Sequence, residues 1–326
     1  MQISIMMSVG CQNLGDELIL KNEIKKLKTM YGENTIFNVF TYDIKDIFCN
    51  IENTNYFEYF PIGIKNPKNI FKNIKNYFNF IKIIKRSDLV VFGGGGIFFD
   101  NEVGSFKNPL NQWLFRANII NLLKKELLIY GVSLDIKDRK NDLKIKNIFG
   151  KAKKIFVRDE NSFLYLKGLD INSTIIKDPV FYDNNDYIED KSSMIDKVGV
   201  SDFNINFLKN INLKNKTIGI AFRKGYLNDE ENNIKTIINY LISQNCKITL
   251  LPHSFHKIDK IANDLLFLND FVSSGITITN NMKETYEVYN NKKIDFCLSM
   301  RLHSMILCES YNIDYIKIIY AKKGEF

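Results

Sequence analysis

The sequence contains no apolar run approaching the ~20 residues that a membrane-spanning helix needs. Its start, Met1-Gln-Ile-Ser-Ile-Met-Met-Ser-Val9, has no basic region ahead of the apolar stretch and runs straight into a glycine turn, so it reads as a first strand and not as a secretion signal. The five cysteines (Cys11, Cys49, Cys246, Cys297, Cys308) are odd in number and lack pairing or zinc-type spacing, which argues against a disulfide framework or a structural zinc. Cys297 and Cys308 fall in apolar runs and read as small buried hydrophobes, as suits a reducing compartment. The expectation from these absences is a cytoplasmic protein.

Clustered basic charge is also lacking. Lysine and arginine exceed the acidic residues enough for a net charge of +8, but the lysines are scattered among asparagines and isoleucines. There is no Arg-rich, aromatic-interleaved stretch of the kind that grips RNA or DNA, so no nucleic-acid partner is expected. A bias toward Lys, Asn, Ile and Phe codons accounts for the composition. The mild positive field would still favour anionic substrates or work near an acidic membrane surface.

What is present is a repeated rhythm of short apolar strand, turn and longer amphipathic segment. A length of 326 residues exceeds what one hydrophobic core usually serves. The first half reads as strands at Ile3–Val9, Thr35–Thr41, Asp88–Phe92, Leu127–Val132, Lys154–Val157 and Ile175–Lys177. Helices are expected from Asp16 to Tyr31, from Asn66 to Lys85, through Trp113–Lys125, and from Asp159 to Lys167. The polar stretch beginning Asp183-Asn-Asn-Asp-Tyr-Ile-Glu-Asp190 is the best linker. The rhythm then restarts with strands Thr217–Phe222, Lys247–Leu251, Ile276–Thr279, Ile294–Leu298 and Tyr315–Ile319. The helices expected between them are Glu230–Ser243, Lys257–Leu268, Glu284–Asn290 and Leu302–Tyr311.

Continuous apolar strands alternating with helices indicate parallel sheets covered on both faces. The fold class expected is α/β, with two parallel-sheet Rossmann-like domains in a GT-B-like arrangement and a cleft between them. The expected boundaries are an N-terminal domain over 1–182, a linker region over 183–216 and a C-terminal domain over 217–326. Ligands of open α/β sheets bind at the carboxyl ends of the strands, so function is expected in the strand-to-helix turns.

Those turns hold the unusual residues. In Gly10-Cys-Gln-Asn-Leu-Gly15-Asp16-Glu17, Gly15 permits a tight turn and Asp16 is a good N-cap. The run Gly93, Gly94, Gly95 and Gly96 lets backbone N–H groups approach an anion closely, with a helix start expected behind it; close sheet packing would explain it nearly as well. It does not fit the dinucleotide fingerprint, because Phe98 stands where the third glycine should be, and no Lys-Ser/Thr pair makes it a P-loop. Arg158 sits at a strand end beside the acidic helix start Asp159-Glu160, either paired with them or offering its planar fork to a carboxylate or phosphate. Asp178-Pro179 reads as a turn more than a site. Arg223 and His253 each close a strand of the second half, while His256 reads as solvated surface.

The strongest constellation is Asp295-Phe-Cys-Leu-Ser-Met-Arg301-Leu-His303-Ser304. A buried strand emerges into an arginine and a histidine at the mouth of a helix. Only three histidines occur in the chain, and histidine can donate and accept a proton near neutral pH, so this one reads as functional.

Taken in order, these turns resemble the polysaccharide pyruvyl transferase family. The matching pieces are Asn13-Leu-Gly-Asp16-Glu17, Ser87-Asp-Leu-Val-Val-Phe-Gly-Gly-Gly-Gly96, Val157-Arg158-Asp159-Glu160-x-Ser162, Asp178-Pro179, Ile218-Gly-Ile-Ala-Phe-Arg223, Pro252-His253 and Met300-Arg301-Leu302-His303-Ser304. The resemblance covers nearly the whole chain. It implies a transferase that places a pyruvate ketal, drawn from phosphoenolpyruvate, on a sugar of a cell-surface polysaccharide or its lipid-linked precursor, with release of phosphate. It further implies His303 as the catalytic acid/base and Arg158, Arg301, Lys323 and Arg223 as donor-binding cations. Lys322 is adjacent, so the lysine assignment can slip by one.

Gly93–Gly96 would serve as an anion- or substrate-contacting turn on the acceptor side, and Asn13, Asp16 and His253 as substrate contacts. No metal or cofactor is called for. Peripheral association with the inner membrane face is compatible with such an acceptor. Family members generally continue past the lysine into a terminal helix, whereas this sequence stops at Gly324-Glu325-Phe326. The resemblance therefore leaves open a less active protein or an interface completed by another subunit.

Two other readings compete. A GT-B-fold glycosyltransferase using a nucleotide sugar would share the architecture, but no clear acidic motif in the second half is suited to gripping a ribose. A silent glycan-binding scaffold would have no need of the Arg301–His303 pair. The acceptor sugar depends on loops such as Tyr42–Asn66 and Phe99–Gln112, whose shape the sequence does not fix.

Overall fold

The computed structural model describes residues 1–48, 50–60, 70–100, 109–183, 193–257 and 259–320. Lys322 and Lys323, most of the acidic and amide cluster after Asp183, and parts of the two acceptor loops lie outside these residues. The chain divides into two compact units. One comprises Met1–Gly10 and Asp16–Pro179, the other Cys11–Gly15 and Val180–Phe326.

The first unit runs β1 (Gln2–Met6), α1 (Leu14–Tyr31, whose first two residues group with the second unit), β2 (Ile36–Thr41), β3 (Thr54–Glu58), α2 (Ile70–Arg86), β4 (Leu89–Phe92), β5 (Gly95–Phe99), α3 (Pro109–Leu122), β6 (Glu126–Asp135), α4 (Asp142–Phe149), β7 (Lys154–Val157), α5 (Glu160–Lys167) and β8 (Thr174–Ile175). The strands form one sheet in the order β3-β2-β1-β4-β6-β7-β8, with β5 pairing on β6, and the paired strands are parallel. The buried positions of strands β1 and β4 are apolar except for Ser4, whose hydroxyl is 2.7 Å from that of Ser87, because helices cover both faces. Phe98 anchors one side of the core, its ring 4.8 Å from Phe149 and 5.5 Å from Trp113.

The second unit runs β9 (Met194–Gly199), α6 (Ile205–Leu208), β10 (Thr217–Ala221), α7 (Glu230–Ser243), β11 (Lys247–Leu250), α8 (Asp264–Asn269), β12 (Ile276–Ile278), α9 (Met282–Asn290), β13 (Phe296–Ser299), α10 (Leu302–Tyr311) and β14 (Asp314–Ile319). Its sheet has the order β12-β11-β10-β13-β14-β9, again with parallel pairs. The central strands β10 and β13 are paired from Ile218–Phe296 to Ala221–Ser299, so Arg223 and Arg301 both emerge just past the carboxyl end of neighbouring strands.

Several elements depart from the sequence reading: α1 starts at Leu14, so Asp16 lies in its first turn and does not cap it, and α4 and α6 are not among the expected helices. No helix follows the four glycines. Gly95–Phe99 is strand β5, because Ile97 and Phe98 are 3% and 0% exposed and the strand pairs on β6 at Gly95, Phe98 and Phe99. The helix expected from Lys257 starts only at Asp264. Before it, Asp259 Oδ1 accepts from the amides of Ile261 and Ala262, and Asn263 caps the helix at Leu266 N, local bonds that compete with helix. Strand β9 lies inside the span 183–216 read as linker, paired at the edge of the sheet on β14. Strand β3 lies inside the stretch read as an acceptor loop, as the edge partner of β2.

Candidate functional site

The site is built in the second unit around the start of α10. Met300 N bonds to Ala221 O at 3.0 Å, which carries β13 to the sheet edge before the chain turns. Arg301 is the N-cap of α10 in extended conformation (φ −80°, ψ 127°) and His303 is the second residue of the helix. The Arg301 guanidinium is paired with Asp264 Oδ1, and the Arg301 and Asp264 side chains are 14% and 1% exposed. The other Asp264 oxygen accepts from the amides of His253 and Ser254 at 3.1 and 3.0 Å. One carboxylate thus fixes both the arginine and the loop after β11. Burial raises the Asp264 carboxyl from its ordinary value, against the charge of Arg301 and the donated N–H bonds.

Behind the turn lies a buried hydrogen-bonded chain. His253 Nε2 is 2.9 Å from the Tyr289 hydroxyl, which is 2.7 Å from Ser304 Oγ, and Ser304 Oγ is 3.6 Å from Cys297 Sγ. Burial holds the His253 imidazole well below its ordinary value, and the positive charges of Arg301 and His303 push the same way. His253 is therefore a neutral, 3% exposed group that braces the turn through Tyr289. Arg223 stacks by Tyr226 and Tyr320, with Nη1 3.4 Å from the Tyr320 hydroxyl, and lies near enough to Asp264 to feel its charge.

The stretch Cys11–Gly15 belongs to this unit and joins it by main-chain bonds: Leu14 N to His253 O and Phe255 N to Gln12 O, both at 2.9 Å. Asn13 bridges Ser254, and its Oδ1 accepts from Gly15 N at 3.1 Å. Gly15 abuts His303; a Cβ at position 15 would sit 1.8 Å from His303 Nδ1. Only glycine leaves the imidazole that space.

Arg158, Asp178, Asp16 and the glycine run, also singled out from sequence, lie in the first unit. Arg158 donates Nε to Ser133 Oγ at 2.7 Å and Nη1 to Asp178 Oδ2 at 2.6 Å, with the two side chains 6% and 2% exposed. Asp178 is thus the counter-ion of Arg158 as well as part of a turn, and Asp159 caps α5 through Ser162 N. The amides of Gly93 and Gly94 are engaged internally. Gly93 N bonds to Met6 O at 2.9 Å and Gly94 N to Glu23 Oε2 at 3.0 Å. A Cβ at Gly93 would lie 2.6 Å from the Glu23 carboxylate, and Gly95 has φ +100°, so close packing and chain direction both require glycine here. Asp16 Oδ1 lies near Gly95, 3.2 Å from where its Cβ would be.

Sequence reading missed several of the groups that organise these sites. Asp264 and Tyr289 organise the second-unit cluster, and neither stands in a distinctive motif. Glu23 is wholly buried behind the glycine turn, and burial pushes its carboxyl up to about 8. Arg116 is 1% exposed, its guanidinium 4.2 Å from the Tyr59 ring and 4.7 Å from Trp113, with Nε and Nη2 buried and without a hydrogen-bond partner among the described residues. Among the described residues no group of acidic, histidine or cysteine side chains is arranged to hold a metal, and no helix is long and apolar enough to cross a membrane.

Solved structures resemble the chain to different degrees. S. aureus MnaA with UDP aligns with 97% of this chain and 79% of its own at TM-score 0.53 and 10% identity. The UDP-GlcNAc 2-epimerase of Methanocaldococcus jannaschii with UDP-GlcNAc and UDP covers 97% and 83% (TM-score 0.48, 13% identity). The E. coli heptosyltransferase WaaC with ADP-2-deoxy-2-fluoro heptose covers 100% and 95% (TM-score 0.41, 9% identity). At such identities the likeness to MnaA is one of fold alone, the parallel-sheet α/β class found in GT-B enzymes. No curated protein matches the sequence with significance. The sequence profile of the polysaccharide pyruvyl transferases, however, matches residues 13–320, from the Asn13 turn through the Arg301–His303 turn to the end of the last strand. The chain belongs to the polysaccharide pyruvyl transferase family.

Proposed function

We propose that the protein transfers pyruvate from phosphoenolpyruvate to a sugar of a cell-surface polysaccharide or its precursor, as a ketal, with release of phosphate. The observation that carries this reading is the pair of guanidiniums, Arg301 and Arg223, about the buried carboxylate of Asp264, with His303 close enough to His253 to act on it electrostatically. Phosphoenolpyruvate bears a carboxylate and a phosphate. Two guanidiniums held by protein partners meet such a donor without first having to be ordered. Lys323, outside the described residues, and Arg158 are the further donor-binding cations on this reading.

Ketal formation begins with proton delivery to the enol CH2 carbon, which becomes the methyl group. A sugar hydroxyl adds to the oxocarbenium-like carbon and gives up its proton. A second hydroxyl then replaces phosphate at that carbon, and its proton leaves with the phosphate. On this reading His303 gives the first proton and takes one back. Its site beside Gly15 fixes the ring, and the bond of neighbouring Ser304 to Tyr289 fixes the helix turn that carries it.

The test is phosphate release from phosphoenolpyruvate with and without glycan acceptors. Release that requires a glycan, and that His303→Ala abolishes, is the expected result. Undiminished turnover by His303→Ala removes the histidine from its role. Saturable binding of a nucleoside diphosphate with no response to phosphoenolpyruvate rejects the donor.

A further inference from the structure

Helix α2 has two apolar faces. One, carrying Phe80 and Ile84 beside buried Asn76, packs into the core of the first unit. The other meets solvent: Phe71 is 85% exposed, Phe78 66% and Ile74 50%. With 3.6 residues per turn, Phe71 and Phe78 point about 160–180° away from Phe80, and Lys75, Lys82 and Lys85 fall within about 40° of the same direction. All three lysines are exposed, and the helix contains no acidic residue. The aromatic surface continues beyond α2. The Phe60 ring is 5.2 Å from Tyr77 and 6.0 Å from Phe115 of α3, which is 38% exposed.

Single exposed apolar residues are ordinary, but a contiguous aromatic stripe is a contact surface. The lysines interleaved with it identify the contact. A second copy of the chain would set one row of lysines against another. An anionic bilayer accepts both components, because the rings enter the boundary between headgroups and chains while the lysine stems reach up to lipid phosphates.

We propose that α2 docks on the anionic surface of a lipid bilayer, with Phe71, Ile74 and Phe78 inserted and Lys75, Lys82 and Lys85 paired with lipid headgroups. The inference does not depend on the pyruvyl transferase reading; if both hold, docking brings a lipid-linked acceptor to the enzyme.

The test is co-sedimentation of the full chain with vesicles of phosphatidylcholine alone or mixed with phosphatidylglycerol. Binding is expected to the mixed vesicles only and to weaken as salt is raised. Each lysine removed in Lys75→Gln/Lys82→Gln/Lys85→Gln should lower partitioning about fivefold. Phe71→Ser/Phe78→Ser should lower it at least as far as one lysine does, and both variants should melt as the wild type does because the face is exposed. The proposal is overturned if the wild type ignores anionic vesicles, or if either variant binds them as well as the wild type. A dimer in sedimentation velocity that Phe71→Ser/Phe78→Ser splits, without vesicle binding, overturns it in favour of self-association. No arm reads transferase activity, so failure here is separate from failure of the proposed reaction.

Discussion

Gly15 and His303 are packed so closely that a Cβ on Gly15 would lie 1.8 Å from Nδ1 of the imidazole. Gly15→Ala must therefore displace the ring assigned as acid/base while leaving the cations untouched. A misplacement of about 1 Å at a reacting group costs on the order of 10²-fold in rate. The expected outcome is a loss of that size in kcat for phosphate release, with the circular-dichroism spectrum retained. An alanine variant within threefold of wild type would show that the ring position does not matter.

Asp264 is the hinge pin of the same cluster, since it holds Arg301 on one oxygen and two backbone amides on the other. Removing one partner of a buried ion pair typically costs about 3–5 kcal/mol. Asp264→Ala is expected near the lower end, because Arg301 keeps some contact with water. Urea unfolding measures it. Adding Arg301→Met should recover part of the loss by removing the stranded charge. If the double variant is as unstable as the sum of the two singles, the pair is not coupled.

The strand-end cations could be read before folding, because a parallel sheet delivers the residue after each strand to one edge. Arg223 and Arg301 close the adjacent strands β10 and β13. Their organising partners were not legible. Asp264 opens a short helix after a run of local turns, and nothing in Asn263-Asp264 distinguishes a helix cap from a counter-ion. Glu23 sits on an amphipathic helix, where a glutamate ordinarily faces water. Only the close approach of Gly93 and Gly94 shows that it is enclosed. The helix expected behind the glycines failed for a related reason. Gly-Gly-Ile-Phe-Phe is short, apolar and flanked by glycine, and only the open backbone of β6 decides that it pairs as a strand.

Burial raises Glu23 from 4.5 to about 8, which fixes the sign of its pH effect. Below pH 4.5 both folded and unfolded chains carry the proton, and its contribution to stability is complete. Between pH 4.5 and about 8 the folded chain keeps a proton that the unfolded chain releases. Stability falls with a slope approaching about 1.4 kcal/mol per pH unit. Glu17, raised to about 7 chiefly by burial, adds to the slope below that pH. His253 opposes them below its ordinary value, because there the unfolded imidazole takes up a proton that the buried ring refuses. Glu23→Gln keeps an acceptor for Gly94 N–H and removes the titration. Its stability relative to wild type should therefore rise steadily from pH 5 to pH 8 in urea unfolding. A constant difference would mean that Glu23 ionises freely.

Arg116 offers the opposite case, a charge whose removal should cost nothing. Its guanidinium is buried between Tyr59 and Trp113, with two nitrogens unbonded and no ion pair among the described residues. Cation–π attraction of this kind is worth about 2 kcal/mol when desolvated. The penalty for taking a guanidinium out of water without a carboxylate partner among the described residues is several kcal/mol. Methionine fills a similar volume and keeps contact with both rings. Arg116→Met is therefore expected to match or exceed the wild type in melting temperature. A drop of more than a few degrees would mean that the two aromatic faces repay the charge in full, and that the pair of rings is the arginine's true counterpart.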